Sequence, residues 1–150
     1  MTTTAETNSD LYVFDSLMLY NFKMHKSTEL CLSEVPIVVI SGANGSGKTQ
    51  ILEALILAIG HVPNRVSLST YKEIIGPFDN YSQIQLKLNN PKLSDNRIFT
   101  TSDPDLIPFI EKDYFVIDVK INREGNIRRK VIDMKKRVWT QFTEPLSVNI

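Results

Sequence analysis

The sequence predicts an α/β fold in which a mixed, largely antiparallel β-sheet region surrounds one buried helix. Three observations carry that expectation. An apolar β-forming run, Ile37 to Ile40, leads into a glycine-rich loop. A helical run from Gln50 to Ile59 leaves that loop and stops at Gly60. Later segments alternate apolar and polar residues with a period of two, and too few helices separate them to build a parallel sheet.

The loop is Gly42-Ala43-Asn44-Gly45-Ser46-Gly47-Lys48-Thr49, which satisfies the phosphate-loop pattern at every fixed position. Glycines let successive backbone N–H groups turn toward one anion, because no Cβ intervenes. The helix start that follows adds unpaired donors and partial positive charge. In this reading Asn44, Gly45, Ser46, Gly47, Lys48, Thr49 and Gln50 line a nucleotide site. Lys48 reaches the β- and γ-phosphates, and the Thr49 hydroxyl ligates Mg²⁺. The expected ligands are ATP and Mg²⁺.

Composition narrows the class. With 42% hydrophobic and 23% charged residues, the 150-residue chain suits one domain or one lobe. A single cysteine, Cys31, excludes an internal disulfide and fits a reducing compartment. No apolar stretch approaches the ~20 residues of a membrane helix, so the expected setting is the cytoplasm or the chromosome, with no membrane partner. Net charge is zero but uneven: residues 1–119 hold 9 Lys+Arg against 14 Asp+Glu, and residues 120–150 hold 8 against 3. A basic C-terminal part suits DNA or another acidic partner, and it equally suits a solvated hairpin.

In chain order, residues 1–10 read as a disordered polar tail and 11–150 as one folded unit. Leu11 to Phe22 reads as a long strand, Asn21 to Lys26 as a polar corner, and Thr28 to Leu32 as a second strand. The apolar character of Gln50 to Ile59 on nearly all sides calls for sheet on both flanks. Thr70 to Glu73 has capping-box spacing, predicting a short helix at about Tyr71 to Ile75. Tyr81 to Leu88 alternates as a half-exposed strand, with Arg97 to Thr101 as its expected antiparallel partner. Asp103-Pro104 opens a helical turn that Pro108 should disturb. A hairpin then joins Phe115–Ile121 through Arg123–Asn126 to a long return strand from Ile127 to about Phe142.

The strand ending in Asn21-Phe22-Lys23-Met24-His25 resembles the N-terminus of the chromosome-organising ATPases. So does the loop Gly-Ala-Asn-Gly-Ser-Gly-Lys-Thr followed by Ile51-Leu52-Glu53-Ala54-Leu55. These are the SMC proteins and their relatives in double-strand-break repair and in the RecF and RecN groups. The resemblance spans roughly Leu11 to Gly60. It implies the N-terminal lobe of an ABC-type ATPase head, incomplete without a C-terminal lobe that brings the signature motif and a metal-binding Asp-Glu. A coiled coil joins the two lobes in that family, and two heads sandwich two ATP molecules to change their grip on DNA. By the same resemblance Lys23 stands near the nucleotide, Arg65 near the γ-phosphate, and Gln141 at Mg²⁺ and the attacking water, with Lys48 and Gln141 as the catalytic pair.

The rest of an engine is not in the sequence. No Leu-Ser-Gly-Gly run occurs, and no apolar strand ends in Asp-Glu. Phe115-Val116-Ile117-Asp118 comes closest, but the alternation continues to Ile121, which makes Asp118 an outward residue in mid-strand. Three readings follow: an ATP-binding head lobe, a small complete P-loop kinase using Asp118 for its metal, or a DNA-binding module with structural ATP.

Overall fold

A computed structural model describes residues 14–23, 25–31, 46–60, 73–93 and 95–148. The expected tail, the strand at Ile37 to Ile40, Gly42 to Gly45, and Arg65 lie outside them.

Among the described residues a six-stranded antiparallel sheet dominates, in the order β2-β1-β3-β7-β8-β9. Its strands are β1 (Phe14–Phe22), β2 (His25–Cys31), β3 (Tyr81–Asn89), β7 (Tyr114–Asn122), β8 (Ile127–Asp133) and β9 (Val138–Gln141). Two short ribbons flank it: β4 (Lys92–Leu93) with β5 (Asn96–Arg97), and β6 (Phe99–Thr100) with β10 (Ser147–Val148). The helices are α1 (Ser46–Ile59) and the short α2 (Ile107–Ile110). The period-two pattern sorts the sheet into two faces. Leu17, Leu19, Ile84, Leu86, Ile117 and Val119 are fully or almost fully buried on the inner face, where α1 packs across β3 and β7.

Several expectations need correction. The polar corner is a tight hairpin, since β1 runs on to Phe22 and Phe22 pairs directly with His25. Asn21 and Lys23 make that sharp return in the left-handed region, at φ 53° and 52°. Helix α1 begins at Ser46 rather than Gln50, so the end of the phosphate-loop motif forms its first turn. Sheet does not cover α1 on both flanks among the described residues; Ile56 is 39% exposed, and the segment around Phe142 and Leu146 covers the C-terminal end instead. Residues 73 and 74 are helical, but Ile75 bridges Phe22. Arg97 to Thr101 does not pair with β3. The buried Asn90 side chain takes both backbone groups of Phe99, and β3 is already paired on both edges. Pro108 does not disturb its helix, because it occupies the first turn of α2, where no N–H partner is required.

The long return strand is two strands. Asp133 folds the chain back: its Oδ1 accepts from the N–H groups of Lys135 and Lys136, at 3.0 and 3.1 Å. Arg137 then closes the turn at φ 56°. This is side-chain capping of a turn by aspartate. Lys112 donates to the other carboxylate oxygen and, with those backbone donors, holds the Asp133 carboxyl down at about 2.

The end of α1 is held just as closely. Gly60 adopts φ 114° and a Cβ there would meet the Pro145 Cα at 2.7 Å. The Leu146 N–H donates to the Ile59 carbonyl at 3.1 Å, and Arg129 Nε to the Leu57 carbonyl at 2.7 Å. These donors satisfy carbonyls that a helix end leaves open.

Two outcomes follow. Gly60→Ala should lower unfolding free energy by at least ~1 kcal/mol in urea titrations, from backbone strain and overpacking together. The Asp133 carboxyl, followed by NMR, should titrate near 2, and Lys112→Ala should move it back toward the ordinary 3.8. Since its folded pKa is depressed, its contribution to stability is whole above about pH 4 and is lost as pH falls toward 2.

Candidate nucleotide-binding site

Helix α1 presents its N-terminal turn, Ser46 to Thr49, at one end and its Gly60 terminus at the other. The N–H groups of that first turn have no acceptor within the helix and suit an anion. Lys48 and Thr49 lie in this turn by backbone position. A basic residue and a hydroxyl beside free N–H groups form a donor set that fits a magnesium-bound triphosphate.

Glu53 lies one turn further on, and its carboxylate pairs with Lys23 Nζ at 2.8 Å. Both side chains are largely withdrawn from solvent. Lys23 is therefore not a free loop lysine; it is fixed on the flank of the helix that carries the loop. Glu53 was overlooked in the sequence because nothing local reveals a partner thirty residues away.

What holds Lys23 there is Asn21. This fully buried residue accepts from Phe78 N–H at 3.0 Å and donates to the Asp79 and Tyr81 carbonyls at 3.0 and 2.8 Å. Its own carbonyl accepts from Gly76 N–H, and Lys23 N–H donates to the Ile74 carbonyl. A Cβ on Gly76 would meet Asn21 Oδ1 at 2.5 Å, so the segment can lie this close only as glycine. Arg123 clamps the far side through the Gly76 and Asp79 carbonyls. Tyr20 donates to the Asp79 carboxylate at 2.7 Å, which raises the tyrosine's pKa and lowers the aspartate's.

Other candidates fall elsewhere. Gln141 is exposed on β9, paired with Lys130, and its neighbour Phe142 packs at Gly60. Asp118 is mid-strand and faces outward as expected, yet it is only 3% exposed, because Gln83 and Gln85 both donate to its Oδ1. It sits on the outer face, with the sheet between it and α1. Among the described residues, no group of three or more His, Cys, Asp or Glu side chains could hold a metal. Arg129, part of the basic C-terminal part, is only 8% exposed and donates to the end of α1.

A family model described as an AAA domain matches residues 16–146. The chain belongs to the AAA domain family. The DNA replication and repair protein RecF of Rickettsia canadensis (strain McKiel) is 52% identical over 42 residues, which cover 28% of this chain and 11% of that protein. A structure from work on ATP-driven dimerization and DNA-stimulated activation of SMC ATPases superposes with a TM-score of 0.55 at 23% identity. That match covers 79% of this chain and 69% of the other. The Smc head domain with a coiled coil and joint from Pyrococcus yayanosii gives 0.53 at 19% identity, covering 85% and 23%. RecF-ATP of the RecFOR pathway gives 0.52 at 15%, covering 88% and 28%. The fold is thus that of SMC and RecF ATPase heads. The chain spans only part of each of these proteins.

The two anchors should separate in mutants. Asn21→Ala leaves buried backbone groups without partners and should cost at least ~2 kcal/mol in chemical denaturation. Lys23→Met removes one partly exposed ion pair and should cost under ~1 kcal/mol.

Proposed function

We propose that this AAA-family chain is the ATP-binding N-terminal lobe of an SMC- or RecF-like head acting in DNA repair or chromosome organisation. Residues 11–150 form the lobe in this reading. Asn44 to Thr49 hold the phosphates, Thr49 also meets Mg²⁺, and Gln50 follows at the edge of the site. Lys23, held by Glu53 on the flank of α1, stands near the nucleotide in this reading. The observation that carries the proposal is the start of α1 at Ser46, directly on the phosphate-loop sequence, with a fixed lysine on its flank.

Bound MgATP would supply a phosphoryl group already activated by its metal. The chain's own residues bind and orient that group. Hydrolysis needs a second set of residues to position water and to stabilise the charge that develops on transfer. Asp118 is held by two glutamines on the face of the sheet opposite α1, so in this reading those groups come from a C-terminal lobe and from a second head closing over the nucleotide. Engagement of two heads then alters their hold on DNA. The complete-kinase reading loses its support with Asp118, which is buried on the wrong side of the sheet.

Calorimetric titration with MgATP tests this. Lys48→Ala should weaken binding at least about tenfold, the loss of a charge-assisted contact. Steady-state turnover by the purified chain should stay near background until a C-terminal lobe is added. Unchanged MgATP affinity in Lys48→Ala would overturn the proposal.

A further inference from the structure

Among the described residues, α1 packs on the inner face of the six-stranded sheet and leaves the outer face to strand side chains. The residues of that outer face follow from register: Tyr20, Gln83, Lys120 and Arg128 form one cross-strand row, and Lys87, Val116, Ile132 and Trp139 another. Such a face usually carries scattered polar side chains. Here it carries aromatic rings, three of which lie under lysines.

Lys130 Nζ lies 4.9 Å from the Trp139 ring, Lys87 5.0 Å from Tyr114, and Lys120 5.2 Å from Tyr81. Tyr20 and Tyr81 pack together with ring centroids 5.4 Å apart. Trp139 is 54% exposed, and Met134 and Val138 beside it are open to solvent as well. An exposed indole on a short outer strand has no folding role that requires it. The Asp133-capped turn leading into β9 carries Lys135, Lys136 and Arg137, all exposed. A hollow of about 360 Å³ lies between the turn and Tyr114, lined by Met134, Lys135 and Lys136. Carboxylates on this half of the face are already engaged: Asp118 by two glutamines and Asp133 by Lys112. The opposite edge is more acidic, with Glu29 on β2 and Asp15 paired to Lys87.

Flat rings with lysines beside them are what an unpaired nucleic-acid strand requires: π-faces for bases and positive charge along the backbone. Duplex DNA offers phosphates but no free base faces. We propose that the β7–β9 half of the outer face binds single-stranded DNA, with Trp139 stacking on an unpaired base and Lys135 and Lys136 on the phosphates. This rests on the DNA-linked reading above and specifies the strand state and the residues.

Trp139 is the only tryptophan in the chain, so its fluorescence reports on this surface alone. Titration with a 20-nucleotide oligo(dT) should quench it, and Trp139→Ala should weaken oligo(dT) binding, read by anisotropy, about tenfold or more. Trp139→Phe should restore most of the affinity. Lys135→Glu with Lys136→Glu should weaken it too and flatten its salt dependence. Circular dichroism melts confirm that each variant is folded. If oligo(dT) binds without quenching, or Trp139→Ala binds it as tightly as the parent, the stacking site is wrong while the DNA reading survives. A blunt duplex binding through the same residues at equal strength also overturns the single-strand assignment. Failure of both oligo(dT) and duplex to bind removes the inference together with DNA binding, leaving the ATP-binding reading to its own test.

Discussion

The buried amide of Asn21 is the interaction on which the geometry of the nucleotide side depends. Its strand would otherwise end in an ordinary hairpin. By bonding both to Phe78 N–H and to the Asp79 and Tyr81 carbonyls, it ties the β1–β2 turn to the chain entering β3. A buried side-chain amide can be this effective because each unmade bond would expose a desolvated backbone group to an apolar interior. Gly76 must lie against it, Lys23 must emerge beside Glu53, and the flank of α1 is thereby set.

The sheet separates two kinds of chemistry. Its inner face is apolar and serves α1, with aliphatic side chains on β1, β3 and β7 meeting Ala54, Leu57 and Ala58. Its outer face keeps Asp118, two glutamines, lysines and aromatic rings. Asp118 shows how strictly the pleat enforces this. One residue either way would direct a carboxylate into the core under the helix, and the alternation instead puts it where the amides of Gln83 and Gln85 can reach it.

Local pattern was readable in the sequence and distant pairing was not. The apolar helix, the alternating strands at Tyr81 and Phe115, and the Arg123–Asn126 turn all follow from near neighbours and stand in the structure. Partner choice depends on residues far apart in sequence: β3 lies between β1 and β7, while Phe99 is drawn away by Asn90. The turn at Asp133 was hidden because no glycine marks it; an aspartate and a left-handed Arg137 do the work instead. The same limit applies to the site. The phosphate-loop motif is contiguous and therefore visible, but the Lys23–Glu53 contact and the burial of Asp118 exist only once the sheet has closed.

The order of strands also bears on how the molecule is made. β1 finds its inner neighbour only after α1 and the following segment have been synthesised, since Leu17 pairs with Leu86 and Leu19 with Ile84. Closing a loop of that length precedes any gain from the contacts it brings, which slows assembly. Until Tyr81 leaves the ribosome, the nascent hairpin of β1 and β2 carries an apolar side and a bare backbone edge. A translation pause in that interval therefore leaves a species ready to pair with its neighbours on the polysome, and holding it apart is work for a chaperone.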